Sequence, residues 1–166
     1  MINNKPNNKK YHQGLFIPKN PDKLIQKNSE GGVYYRSGLE QKMMIYLDNN
    51  DSILHWGSEN FKVPYTLKKY DTILLEYKET QHCYYPDFYY EQLQNNGSIT
   101  KVVAEVKPYS NVIEPKLSAN PTSKQVKNFE YELNMYNKNL NKWTYMIDFC
   151  NKKGFEFIII TEKLLG

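Results

Sequence analysis

The order of predicted elements is helix, three or four strands, helix, strand. That order assigns the chain to the α/β class: a mixed central sheet flanked by helices, one domain over residues 14–166 behind an N-terminal arm over 1–13. Three observations carry the assignment. Between about Lys124 and Lys153, Phe129, Leu133, Tyr136, Leu140, Trp143, Ile147 and Cys150 recur at steps of four and three, the period of one helical face. Phe155–Thr161 (FEFIIIT) follows as an apolar closing strand. Several β-branched and aromatic runs, separated by turn signals, fill the middle of the chain.

In chain order, residues 1 to about 12 are rich in Asn and Lys and predict a mobile arm. Gly14–Pro21 (GLFIPKNP) carries two prolines and predicts an extended surface segment outside any regular element. Gly31-Gly32 marks a turn, and Val33–Arg36 a brief extended lead-in. Ser37 with Glu40 makes a capping-box pattern that opens a helix running to about Asn49. Ile53–Val63, Asp71–Lys78 and Cys83–Glu91 predict three strands, the first closed by Pro64 and the last two joined as a hairpin through Glu79–His82. Asn95–Ser98 signals a further turn, which sets Cys83–Glu91 antiparallel to the strand Lys101–Lys107. Pro115 and Pro121 predict a loop before the long helix, and Gly154 its end.

Composition bounds the function more than it defines it. Hydrophobic residues make up 40% of the chain, enough for a core and too many for a disordered protein. No apolar run approaches the roughly 20 residues of a membrane span, and the N-terminus has no secretory pattern. A net charge of +4 is compatible with a polyanionic partner without requiring one. Cys83 and Cys150 read as reduced, buried thiols, and His82-Cys83 has no second pair to complete a zinc site. No Gly-rich loop suggests a nucleotide cofactor.

The segment Lys101–Pro108 (KVVAEVKP) carries the chemistry. Glu105 and Lys107 share one face of an apolar strand, and Val102, Ala104 and Val106 share the other. Such buried charges are costly unless they are paired or bind something. Asp87, after Pro86, lies on the neighbouring strand. Glu40 lies on the inward stripe of the first helix with Met43, Met44 and Leu47, as either a helix cap or a site acid. Carboxylates gathered at one point repel one another, and a hard divalent cation such as Mg²⁺ or Mn²⁺ removes that repulsion. The Val106 carbonyl is a further candidate ligand. Lys107 beside such an ion is placed to orient an attacking water or to offset charge in a phosphoryl transition state. The chemistry that follows is phosphodiester hydrolysis. The other reading is an Asp at a turn beside a cross-strand Glu–Lys pair.

Pro86-Asp87 followed by Glu105-Val106-Lys107, with Glu40 on the first helix, resembles the PD-(D/E)xK nuclease superfamily. Gly14–Pro21, Tyr35–Glu40 (YRSGLE), Tyr84–Phe88 (YYPDF), Val103–Pro108 (VAEVKP), Asn141-Lys142-Trp143 and Gly154–Lys163 together resemble the head-completion nucleases of large tailed phages, relatives of the TnsA-like transposon endonucleases. Where that family commonly has Ser-Ser or Ser-Trp, this chain has Ser37-Gly38-Leu39. The resemblance implies a restriction-endonuclease-like core and a Mg²⁺-dependent endonuclease, with Mn²⁺ able to substitute, acting on double-stranded DNA. It implies end processing during head completion, before the neck and tail attach, in the infected host's cytoplasm or with the virion, among portal or neck proteins. By position, Asp87 and Glu105 would hold the metal, Glu40 would assist through water, and Lys107 would serve the water. Arg36 and Lys142 are the expected DNA contacts. A structural connector protein, or a transposon- or restriction-type endonuclease, are the competing readings.

Overall fold

The computed structural model describes residues 12–71 and 74–165. Nearly all of the expected arm over 1–13 lies outside them.

The first helix, α1 (Gly38–Asn49), begins where the capping box places it: Ser37 is extended, at φ −147° and ψ 157°, and its hydroxyl accepts the Glu40 N–H. Ahead of it, β1 (Gly14–Phe16) pairs antiparallel with β2 (Val33–Tyr35), so the expected irregular surface segment contains a short strand. That segment is pinned to α1 by Asp48, a buried acid near the helix end. Asp48 accepts the backbone N–H groups of Lys19 and Asn20.

The central sheet has the order β3-β6-β7-β8: β3 (Ile53–Ser58), β6 (Phe88–Leu93), β7 (Ile99–Val106) and β8 (Glu156–Ile160). The β3–β6 and β6–β7 pairs are antiparallel. The β7–β8 pair is parallel, and the long helix α2 (Ser123–Lys153) makes the crossover that a parallel pair needs. A capping box at Thr122 starts α2, and Gly154, at φ +68°, ends it.

Side-chain alternation along β7 splits the core into two layers. Val102, Ala104 and Val106 join Trp56, Phe88 and Tyr90 under Met43, Met44 and Leu47 of α1. Val103 turns the other way, against Trp143, Met146 and Cys150 of α2. The expected stripe of α2 holds at Trp143 and Cys150 but not at Leu140 and Ile147, which are exposed; Asn139 and Met146 are buried in their place. Around Trp143 the positions three and four residues away both lie near the buried face. Hydrophobicity alone does not choose between them.

The middle of the chain departs most from expectation. β4 (Val63–Asp71) pairs with β5 (Glu76–Tyr84) as a separate two-stranded ribbon, closing with Asp71 opposite Glu76. Asp71–Lys78 therefore spans a hairpin end, with Leu74 and Leu75 in its turn and exposed, instead of forming a buried strand. Pro64 does not end a strand but lies within β4, opposite Cys83, since a ribbon edge tolerates a missing N–H. The expected strand Cys83–Glu91 is two strands broken at Tyr85-Pro86-Asp87. Cys83 is exposed, not buried.

Candidate active site

The site forms where β5 hands over to β6, beside the carboxyl end of β7. Phe88 pairs with Ala104 as the last pair of the ladder, so Asp87, one step before β6, lies just beyond that end, on the side of Glu105 and Val106. Asp87 Oδ2 accepts the Val106 N–H at 2.7 Å. In a strand a residue's N–H and C=O point to the same edge, so the Val106 carbonyl also lies on the Asp87 side. The Asp87 carbonyl takes the Glu59 N–H, which fixes the break between β5 and β6.

Glu105 is buried, its side chain 3% exposed. Both carboxylate oxygens are held: Oε1 by Lys107 Nζ at 2.8 Å, and Oε2 by the Tyr84 hydroxyl. Burial, and after it the Glu105 charge, push the Asp87 carboxyl up to about 7 from an ordinary 3.8. Lys107 and the Val106 N–H act in the opposite direction without cancelling that rise. Burial works against the Lys107 charge, but Glu105 and Asp87 outweigh it and hold the ammonium above its ordinary range. A buried acid bound to Lys107 and a part-buried acid within reach of the same ammonium form the electrostatic core of the site.

The remaining predicted residues are placed unequally. Glu40 does both things its helix position allowed. Its carboxylate accepts the Arg36 N–H and the Ser37 hydroxyl, each at 2.8 Å, closing the cap, while its charge raises both Asp87 and Lys107. Gly38 does not spoil this start, because Ser37 and Glu40 supply the cap. Among the described residues, no group of three His, Cys, Asp or Glu side chains gathers at one ion-sized point. The Asp87 and Glu105 carboxylates lie close enough for the Glu105 charge to act on Asp87, and the Val106 backbone sits against Asp87. Mutually repelling carboxylates of this kind, one of them driven toward protonation, fit a hard divalent cation. Arg36 forms a two-pronged pair with Glu59, at 2.6 and 3.1 Å, on the surface, within electrostatic reach of Asp87. Lys142 turns from α2 into the same cleft, its Nζ 5.2 Å from the centre of the Tyr84 ring. Burial lowers its pKa, opposed by Glu105 and aided by Lys107.

Sequence reasoning missed Tyr84. Strand alternation continued through residues 83–91 gives Tyr85 the face of Asp87, yet Tyr85 is exposed and Tyr84 is buried against Glu105. The available signal was Pro86: a proline within a strand-like run argues for a break that resets the alternation.

A mixed sheet between two helices, with Pro-Asp and Glu-x-Lys converging at one end, is the architecture of the PD-(D/E)xK nucleases. Residues 50–162 match the family described as TnsA-like endonuclease N terminal, and the chain belongs to that family. Over 151 residues it is 28% identical to the head completion nuclease of Enterobacteria phage T4, a similarity spanning 91% of each chain.

Proposed function

We propose that this chain is a divalent-cation-dependent endonuclease that hydrolyses double-stranded DNA and processes DNA ends during phage head completion. One observation carries the reading: Asp87 is held by the Val106 N–H beside Glu105, a buried acid that Lys107 binds, and the Glu105 charge acts on Asp87. The family match supports an endonuclease, and the similarity to the phage T4 protein supports the head-completion setting.

Asp87, Glu105 and the Val106 carbonyl would hold Mg²⁺, or Mn²⁺ in its place, with Glu40 reaching it through water. Such an ion, when bound, polarises the phosphodiester and acidifies a water. Lys107 donates its ammonium hydrogens at the cleft edge, where they orient the attacking water or meet the non-bridging phosphate oxygens. Arg36 and Lys142 carry charge toward the backbone on either side. The setting proposed is the infected bacterium's cytoplasm or the virion, beside portal or neck proteins. No helix among the described residues is long and apolar enough to cross a membrane.

Purified protein with linear duplex DNA tests the reading. Cleavage should require Mg²⁺ or Mn²⁺ and disappear in Asp87→Ala, Glu105→Ala and Lys107→Ala proteins that keep the wild-type circular dichroism. Equal cleavage by wild type and Asp87→Ala overturns the assignment. Normal head maturation with a folded, cleavage-dead variant would make the role structural.

A further inference from the structure

Tyr84 occupies a position that the acid set and the lysine do not explain. It is the last residue of β5, 3% exposed, in the core layer with Val63, Tyr65, Val103, Trp143 and Met146. Its hydroxyl donates to Glu105 Oε2, while Lys107 Nζ occupies Oε1. The two partners differ in freedom. Lys107 follows the end of β7 on a flexible four-carbon stem, its side chain 28% exposed, and can leave its oxygen for solvent. Tyr84 turns about only two torsions, both fixed by a packed ring. The face of that ring carries the Lys142 ammonium at 5.2 Å. One side chain therefore touches an acid of the site through its hydroxyl and a cation of the site through its ring.

We infer that Tyr84 is a positioning residue of the active site: its hydroxyl fixes the rotamer of Glu105 so that Oε1 is the oxygen presented to a divalent cation, and its ring seats Lys142 beside the same cleft. This inference rests on reading Asp87 and Glu105 as cation ligands. Without the hydroxyl, Glu105 keeps only the mobile Lys107 as a partner, and its carboxylate plane is free to turn. Partners that orient a ligating carboxylate in this way commonly contribute tenfold or more to ion affinity.

The test titrates Mn²⁺ into DNA-free protein by calorimetry, with the Mn²⁺ paramagnetic resonance spectrum as a second signal. Tyr84→Phe keeps the ring and removes the hydroxyl. It should bind Mn²⁺ about tenfold more weakly, with ion-free duplex binding within about twofold of wild type. In a Glu105→Gln background the same change should cost nothing further, because Tyr84 acts through that carboxylate. Tyr84→Leu also removes the ring, and should weaken ion-free duplex binding as far as Lys142→Ala does. Mn²⁺ affinity of Tyr84→Phe within about twofold of wild type overturns the hydroxyl's role. An equal loss in the Glu105→Gln background shows a general packing effect and overturns it as well. Duplex binding by Tyr84→Leu equal to wild type overturns the ring's role. If wild type itself binds no Mn²⁺, the cation-site reading falls, and this inference with it. If wild type binds and Tyr84→Phe binds equally, only the inference falls.

Discussion

Replacing Asp87 by Asn should stabilise the ion-free protein at alkaline pH while destroying its activity. Asp87 is part-buried beside Glu105, and its carboxyl is raised from 3.8 to about 7, by desolvation first and Glu105 second. The folded state therefore holds a proton that the unfolded chain releases. The stability linked to this group is fully present below about pH 3.8 and is lost as pH rises through about 7. At about 1.36 kcal/mol per unit, the full difference is roughly 4 kcal/mol, reached above pH 7. Near pH 5 less than half of it has been lost. Asn has no charge to bury, and its side-chain carbonyl can still accept the Val106 N–H. Asp87→Asn should thus melt above wild type in chelator at about pH 8. At about 2–4 °C per kcal/mol for a chain of this size, the gap has an upper bound of roughly 8–16 °C, narrowing at pH 5. Added Mg²⁺ should raise the wild-type midpoint and leave the variant unchanged. Differential scanning calorimetry at the two pH values reads all of this. An Asp87→Asn protein no more stable than wild type at pH 8, or a gap independent of pH, refutes the claim that Asp87 carries a strained, part-desolvated charge.

Phe88→Ala should cost about 3–5 kcal/mol in urea unfolding, because the ring is fully buried against Trp56 and leaves a cavity under α1. Gly154→Ala should cost about 1–2 kcal/mol, since φ +68° is left-handed, and should leave ion binding unchanged by calorimetry. Lys142→Ala should lower the slope of log affinity against log salt for duplex binding by about one, with Mn²⁺ affinity kept, as fluorescence anisotropy and calorimetry would read.

Local signals were legible in the sequence wherever one residue's chemistry acts within a few positions. Ser37 and Glu40 mark the start of α1, and Gly154 marks the end of α2. The alternation in β7 puts Glu105 opposite in facing to Ala104 and Val106. The turn at Asn95–Ser98 then makes β6 and β7 antiparallel neighbours, which brings Asp87, just before β6, to the end of β7 that carries Glu105. Strand and helix facing also placed Lys107 and Glu40 with them, and family resemblance added Arg36 and Lys142.

Tertiary structure decided what depends on where a chain leaves one sheet for another. The break at Tyr85-Pro86-Asp87 moves Glu76–Tyr84 into a ribbon with β4 and turns Tyr84, not Tyr85, toward Glu105. It also decided that Arg36 pairs with Glu59 and that Glu40 serves its own helix cap. Periodicity gives the face of a residue relative to its neighbours in sequence, but it carries no information past a point where the strand stops. Partners such as Tyr84 with Glu105, or Asp48 with Lys19 and Asn20, come together only through packing. Their pairing is set by which buried charges would otherwise lack a donor, and that is a property of the assembled core.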